Sequence, residues 1–119
     1  MTLPSDTTSF SSNSATQLVS PSLETVRLII SGWVQGVGFR FALREQALLL
    51  GVCGWCRNLP DGRVETMFQG TDKAVSKLTQ WCHQGPGQAN VTSVSLEIIN
   101  LQANPHAWDG PDHGFEIRF

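Results

Sequence analysis

From Val26 to Phe119 the apolar periodicity switches back and forth between that of a strand and that of a helix, and the order of the switches admits few architectures. Val26-Arg27-Leu28-Ile29-Ile30-Ser31 is a β-branched run closing on Gly32, the pattern of a strand. Phe39, Ala42, Leu43, Ala47 and Leu50 then recur near helical spacing, with Gly51 as a C-terminal stop. Val52 to Asn58 reads as a second strand and Leu59-Pro60-Asp61-Gly62 as a turn. Arg63 to Gln69 closes that hairpin, with Val64, Thr66 and Phe68 alternating against Arg63, Glu65, Met67 and Gln69. Beyond Gly70, Thr71 or Asp72 caps a second helix with Val75, Leu78, Trp81 and Cys82 on its inner face, and Gly85-Pro86-Gly87 breaks it. Val91 to Leu101 is expected as a long strand with Thr92, Val94, Leu96 and Ile98 as its inward row. Gln102 to His113 is a loop, and a last short strand directs Phe115, Ile117 and Phe119 into the core.

Strand-helix-strand thus occurs twice, with an extra strand at the end. The expected class is α+β: a ferredoxin-like α/β sandwich built on a split βαβ repeat, with two helices on one face of a mainly antiparallel sheet of four to five strands. A length of 119 residues suits one domain with a core and is too short for two. Residues 1–22 have a different texture. Eleven of them are Ser or Thr and few are bulky and apolar, so ordering them at roughly 1–2 kcal/mol per residue has little burial to offset it. They are expected to form a flexible tail, with the domain spanning residues 23–119.

Charge and cysteine narrow the function. The net charge is −2, and beyond Glu24 eight acids balance eight bases, which is not the basic footprint of a nucleic-acid partner. No apolar run approaches the ~20 residues that span a bilayer. Residues 1–22 contain no Lys or Arg and no sustained apolar stretch, so an ordinary signal peptide is not expected. An odd set of cysteines, Cys53, Cys56 and Cys82, fits reduced thiols in the cytoplasm. Cys53-Gly54-Trp55-Cys56 spells a CxxC, but within a strand residues three apart point to opposite faces, and the cysteines read as structural. His83, His106, His113, Asp109 and Asp112 lack any recognised ligand spacing, so no metal and no cofactor are expected.

Between the first strand and first helix stands GWVQGVGFR, Gly32 to Arg40. Glycines at this density let a backbone approach a ligand closely, and phosphate is the usual ligand. It is neither of the two familiar phosphate loops. A Walker loop needs Gly-Lys before Ser or Thr, whereas Gly38 precedes Phe39-Arg40; GxGxxG from Gly36 would need glycine where Phe41 stands.

The stretch resembles the first acylphosphatase motif, Gly-x-Val-Gln-Gly-Val-x-Phe-Arg, at every fixed position. Gly54-Trp55-Cys56-Arg57-Asn58, then Asp61-Gly62-Arg63-Val64-Glu65 and Gly70, is similar to the second motif, and Gly114 to Phe119 to the family's terminal strand. Cys56 occupies a slot where small apolar residues are common, and the long tail is no part of the family pattern. The resemblance implies an enzyme that hydrolyses acyl phosphates to carboxylate and phosphate by direct attack of an oriented water, without metal. It also implies that Gln35, Gly36, Val37, Gly38, Phe39 and Arg40 bind phosphate and that Asn58 orients the water, so that Arg40 and Asn58 are catalytic.

The residues themselves agree with that assignment. A helix starting near residue 38 leaves unpaired N–H groups at the positive end of its dipole, and Gly36 and Gly38 let them curl into an anion nest. Arg40 adds a two-pronged guanidinium, and Asn58 ends a strand beside a turn, outside the core. The expected partners are a small acyl phosphate and inorganic phosphate, the latter as product and competitive inhibitor, with no nucleic acid or membrane, and a monomer. Two alternatives stand beside this reading. One is a non-catalytic module that binds phosphate or acyl phosphate. The other is a relative of the acylphosphatase-like domain of carbamoyl-phosphate-handling maturation proteins.

Overall fold

The computed structural model describes residues 23–119, so the expected tail lies outside the described residues. The elements run β1 (Leu23–Trp33), α1 (Phe39–Leu50), β2 (Cys53–Asn58), β3 (Val64–Thr71), α2 (Asp72–Gln84), β4 (Asn90–Ile98) and β5 (Phe115–Arg118). The five strands form one sheet in the order β4-β1-β3-β2-β5. Every pairing is antiparallel except β2 with β5. This is the expected ferredoxin-like α+β sandwich with β5 added at one edge.

The sheet face beneath the helices is the core. Val26, Leu28 and Ile30 of β1 are fully buried there with Val64, Thr66 and Phe68 of β3. Phe39, Leu43 and Ala47 from α1 and Val75, Leu78 and Cys82 from α2 close over them. Each large apolar side chain so buried contributes about 1.5–3 kcal/mol, which makes this layer the frame on which the loops are hung. Thr71 caps α2, its hydroxyl accepting from Ala74 N at 3.2 Å. Gly51 ends α1 in the left-handed conformation.

Two expectations are corrected. The inward row of β4 changes phase partway along, because the pairing slips from Ser31↔Ser93 to Gly32↔Val91. Thr92 is the extra residue of this bulge and is exposed, while Val91 packs against the core in its place. Gly32 is needed there: it has φ 123°, and a Cβ would stand 2.2 Å from Asn90 O. Val94, Leu96 and Ile98 do share the core face with their partners Ile30, Leu28 and Val26. As members of an edge strand they are only partly covered, however, and Leu96 and Ile98 are exposed. The strand also ends at Ile98, short of Leu101.

The second correction is Phe119, which is 99% exposed, although Phe115 is buried and Ile117 packs against the core. β5 stops at Arg118 and the last residue projects beyond the sheet. In β3, residues of both rows are buried. Glu65 and Met67 are covered because β3 is the central strand. Met67 is flanked by Arg27 and Trp55, and Glu65 accepts from Arg27 Nε and from Arg57 Nε, each at 2.6 Å. Burial opposes the charge on Glu65, but the two arginine hydrogen bonds outweigh it and hold the carboxyl below its ordinary range.

Candidate active site

The loop between β1 and α1 is held at both ends by buried groups, Val34 on one side and Phe39 on the other, the latter packed on Trp81 with ring centroids 5.4 Å apart. Between them Gly36 and Gly38 take φ 76° and 77°, values that side chains with a Cβ rarely adopt, so the chain can fold back on itself and enter the helix within a few residues. The first bond of α1 runs from Ala42 N to Gly38 O at 3.0 Å. The amides of Phe39, Arg40 and Phe41 therefore precede the ladder and have no partner within the helix.

The two helix starts differ in kind. The start of α2 carries a side-chain cap and an acid, Asp72; that of α1 has neither, and Arg40 adds a positive charge where the dipole is already positive. Such an end costs free energy until an anion sits against it.

Asn58 closes β2, and two contacts bring its surroundings to this helix start. Cys56, two residues earlier and on the same face, has its Sγ 3.9 Å from Arg40 O. Leu59, the next residue along, offers its carbonyl to Gln35 Nε2 at 2.8 Å. The end of β2 is thereby fastened to the loop on one flank and to the first turn of α1 on the other. Asn58 lies between these fastenings, and its Oδ1 is buried with no hydrogen-bond partner. A buried unpaired carboxamide oxygen costs roughly 1–3 kcal/mol, so its retention points to a use outside the stability of the fold.

Of the residues singled out from the sequence, Gln35 to Arg40 and Asn58 thus gather at one end of the sheet. The side chain of Gln35 is engaged with the β2–β3 turn, since its Nε2 also donates to Arg63 O at 3.0 Å. Two neighbours have no signal in the sequence. The Phe119 ring lies against the Arg40 guanidinium, 5.2 Å from Cζ to centroid. Cys56 is buried under Arg40, and burial pushes its thiol up to about 12 despite the nearby Arg40 and Arg44 charges.

The CxxC cysteines part as a strand requires: Cys56 is in the core, while Cys53 is half-buried with its thiol on Gln69 O at 3.6 Å. Among the described residues no three of His, Cys, Asp and Glu gather as metal ligands, and His83, His106 and His113 are scattered and exposed. No described helix is long and apolar enough to cross a membrane.

Comparison with known proteins gives the family. Residues 26–117 match the family model Acylphosphatase, a span that includes both the loop and Asn58. The acylphosphatase of Rubrobacter xylanophilus is 50% identical over 93 residues, spanning 78% of each chain. Among solved structures, an acylphosphatase from Coxiella burnetii superposes with a TM-score of 0.69 at 34% identity, covering 81% of this chain and 93% of that one. Full-length HypF has the same fold over 85% of this chain (TM-score 0.67), but at 16% identity and across only 12% of its own length. With its glycine loop and its β2 asparagine both inside the matched region, the chain belongs to the acylphosphatase family.

Proposed function

We propose that this protein hydrolyses acyl phosphates, and that Asn58 and Arg40 do the chemistry on a cradle made by the backbone from Gln35 to Phe39. The observation that carries the reading is the unpartnered Asn58 Oδ1 beside an uncapped helix start. The phosphoryl group rests on the free amides of the loop and first turn, with the Arg40 fork on two of its oxygens. A water bonded to Asn58 Oδ1 is aimed at phosphorus; its oxygen forms the new P–O bond as the bond to the acyl oxygen breaks. The electron pair leaves with the carboxylate, and the proton of the water passes to the phosphate and solvent. Because a carboxylate is a good leaving group, no strong general acid is required, and positioning with charge stabilisation suffices. A single well-placed donor lowers such a barrier by about 3–4 kcal/mol.

The rest of the reading follows from this arrangement. Inorganic phosphate competes with substrate for the cradle, the chain works as a monomer, and a reducing cytoplasm suits its three free thiols. The test is hydrolysis of benzoyl phosphate with and without EDTA. Turnover that is insensitive to chelator, competitively inhibited by phosphate and lost in Arg40→Ala with poor rescue by Arg40→Lys supports the enzyme. Tight phosphate binding without turnover makes the protein a binding module instead.

A further inference from the structure

We infer that the Gln35 side chain is a positioning residue that holds Asn58 in register with the phosphate cradle. The inference rests on the proposed function, and concerns the side chain of Gln35 rather than its backbone. Both protons of its carboxamide are committed, to Leu59 O at 2.8 Å and Arg63 O at 3.0 Å, across 24 and 28 residues of chain. These carbonyls are the two ends of the turn joining β2 to β3. The turn also closes on itself through Leu59 N to Arg63 O at 2.8 Å and Gly62 N to Leu59 O at 3.1 Å.

One planar NH2 group thus ties the loop carrying the cradle to the residue that follows Asn58. Without the tie, the cradle and Asn58 are joined only through the sheet and the Cys56 contact with Arg40 O, which leaves the turn beyond Asn58 free to swing about the end of the β2–β3 ladder. Misplacement of an attacking water by about 1 Å costs up to 10²-fold in rate, whereas the backbone cradle itself is left intact. The tie therefore acts on turnover more than on phosphate affinity.

Two variants with opposite chemistry decide the matter. Gln35→Met keeps the length and removes both donors; Gln35→Glu keeps the shape but at neutral pH sets a carboxylate against two carbonyls. In both, turnover of benzoyl phosphate is expected to fall by roughly 10- to 10²-fold while phosphate affinity changes by less than about threefold. As pH falls from about 7 toward about 4.5, Gln35→Glu takes up a proton it can donate to one carbonyl, and its activity relative to the native protein recovers; Gln35→Met shows no such limb. Amide exchange at Leu59 and Gly62 is expected to accelerate in both variants at pH 7, a readout that needs no turnover. Near-native turnover in both variants, or a loss of phosphate affinity matching the loss of turnover, overturns the inference. Unchanged exchange at Leu59 and Gly62 overturns it too. Native protein that lacks all turnover refutes the functional reading, and the exchange measurement then still decides whether Gln35 ties the turn.

Discussion

Replacing Asn58 with alanine separates what the residue does for the fold from what it does for the reaction, because the two effects have opposite sign. In the fold its Oδ1 is a liability: it has no protein partner, and it costs up to about 1–3 kcal/mol whenever the attacking water is not bound to it. The side chain is half-buried at a strand end, so truncation removes little packing in exchange for relief of that cost. A net gain of about 1 kcal/mol corresponds to a rise in Tm of roughly 4–8 °C for a domain of this size. In the proposed reaction, loss of the group assigned to aim the water forfeits about 3–4 kcal/mol, which slows turnover by roughly 10²- to 10³-fold. Phosphate affinity, which the proposal assigns to the loop amides and Arg40, is expected to stay near native. Circular dichroism melts, benzoyl phosphate kinetics and phosphate inhibition measured on one preparation supply all three numbers. A folded Asn58→Ala that keeps most of its turnover, or whose Tm lies more than about 8 °C below native, refutes the reasoning and leaves Asn58 a turn residue.

Three other perturbations probe the surroundings of the site. Burial raises the Cys56 thiol to about 12 and raises Cys82 as well, against an ordinary value of 9.0, so the unfolded chain loses these protons first as pH rises. Stability is then complete below about pH 9 and falls toward pH 12 by about 1.4 kcal/mol per pH unit per thiol, with no tyrosine in the chain to confuse the trend. Urea midpoints that stay flat between about pH 8.5 and 10.5 contradict this. Gly54→Ala forces a Cβ to within 2.2 Å of Met67 O and 2.7 Å of Phe68 Cα, both backbone atoms of the paired strand, and is expected to cost about 3 kcal/mol or more; a shift below about 1 kcal/mol in urea titration shows that β2 yields. Removing Phe119 takes away a ring worth about 0.5–1 kcal/mol to the Arg40 guanidinium, so phosphate should bind about 2- to 5-fold more weakly at unchanged Tm. Unaltered affinity means the contact is incidental.

The parts of this molecule that could be read from its residues are those in which a local rule decides. Gly36 and Gly38 stand in a loop that only positive φ can close, Thr71 caps the helix that follows it, and the hairpin around Pro60-Asp61-Gly62 is announced by its turn chemistry. What could not be read depends on which strand lies beside which. The alternation in β4 predicts Thr92 inside, and it fails because Gly32 of another strand imposes a bulge opposite that residue. Glu65 alternates as a solvent-facing residue should, and it is buried because β3 is central and two arginines from β1 and β2 close over it.

The candidate site divides in the same way. Its loop and its asparagine are each visible as motifs, but nothing in the sequence says that Gln35 reaches 24 residues forward to the turn, or that the exposed terminal Phe119 returns to Arg40. Those contacts are products of the β4-β1-β3-β2-β5 order, which places the end of β1 and the end of β2 on either side of β3 at one edge of the core. On the proposed reading, motif residues recognise the phosphate and topology brings the water-directing residue to it. A mutation that disturbs the join, leaving both motifs intact, should therefore slow the reaction while the protein continues to bind its product.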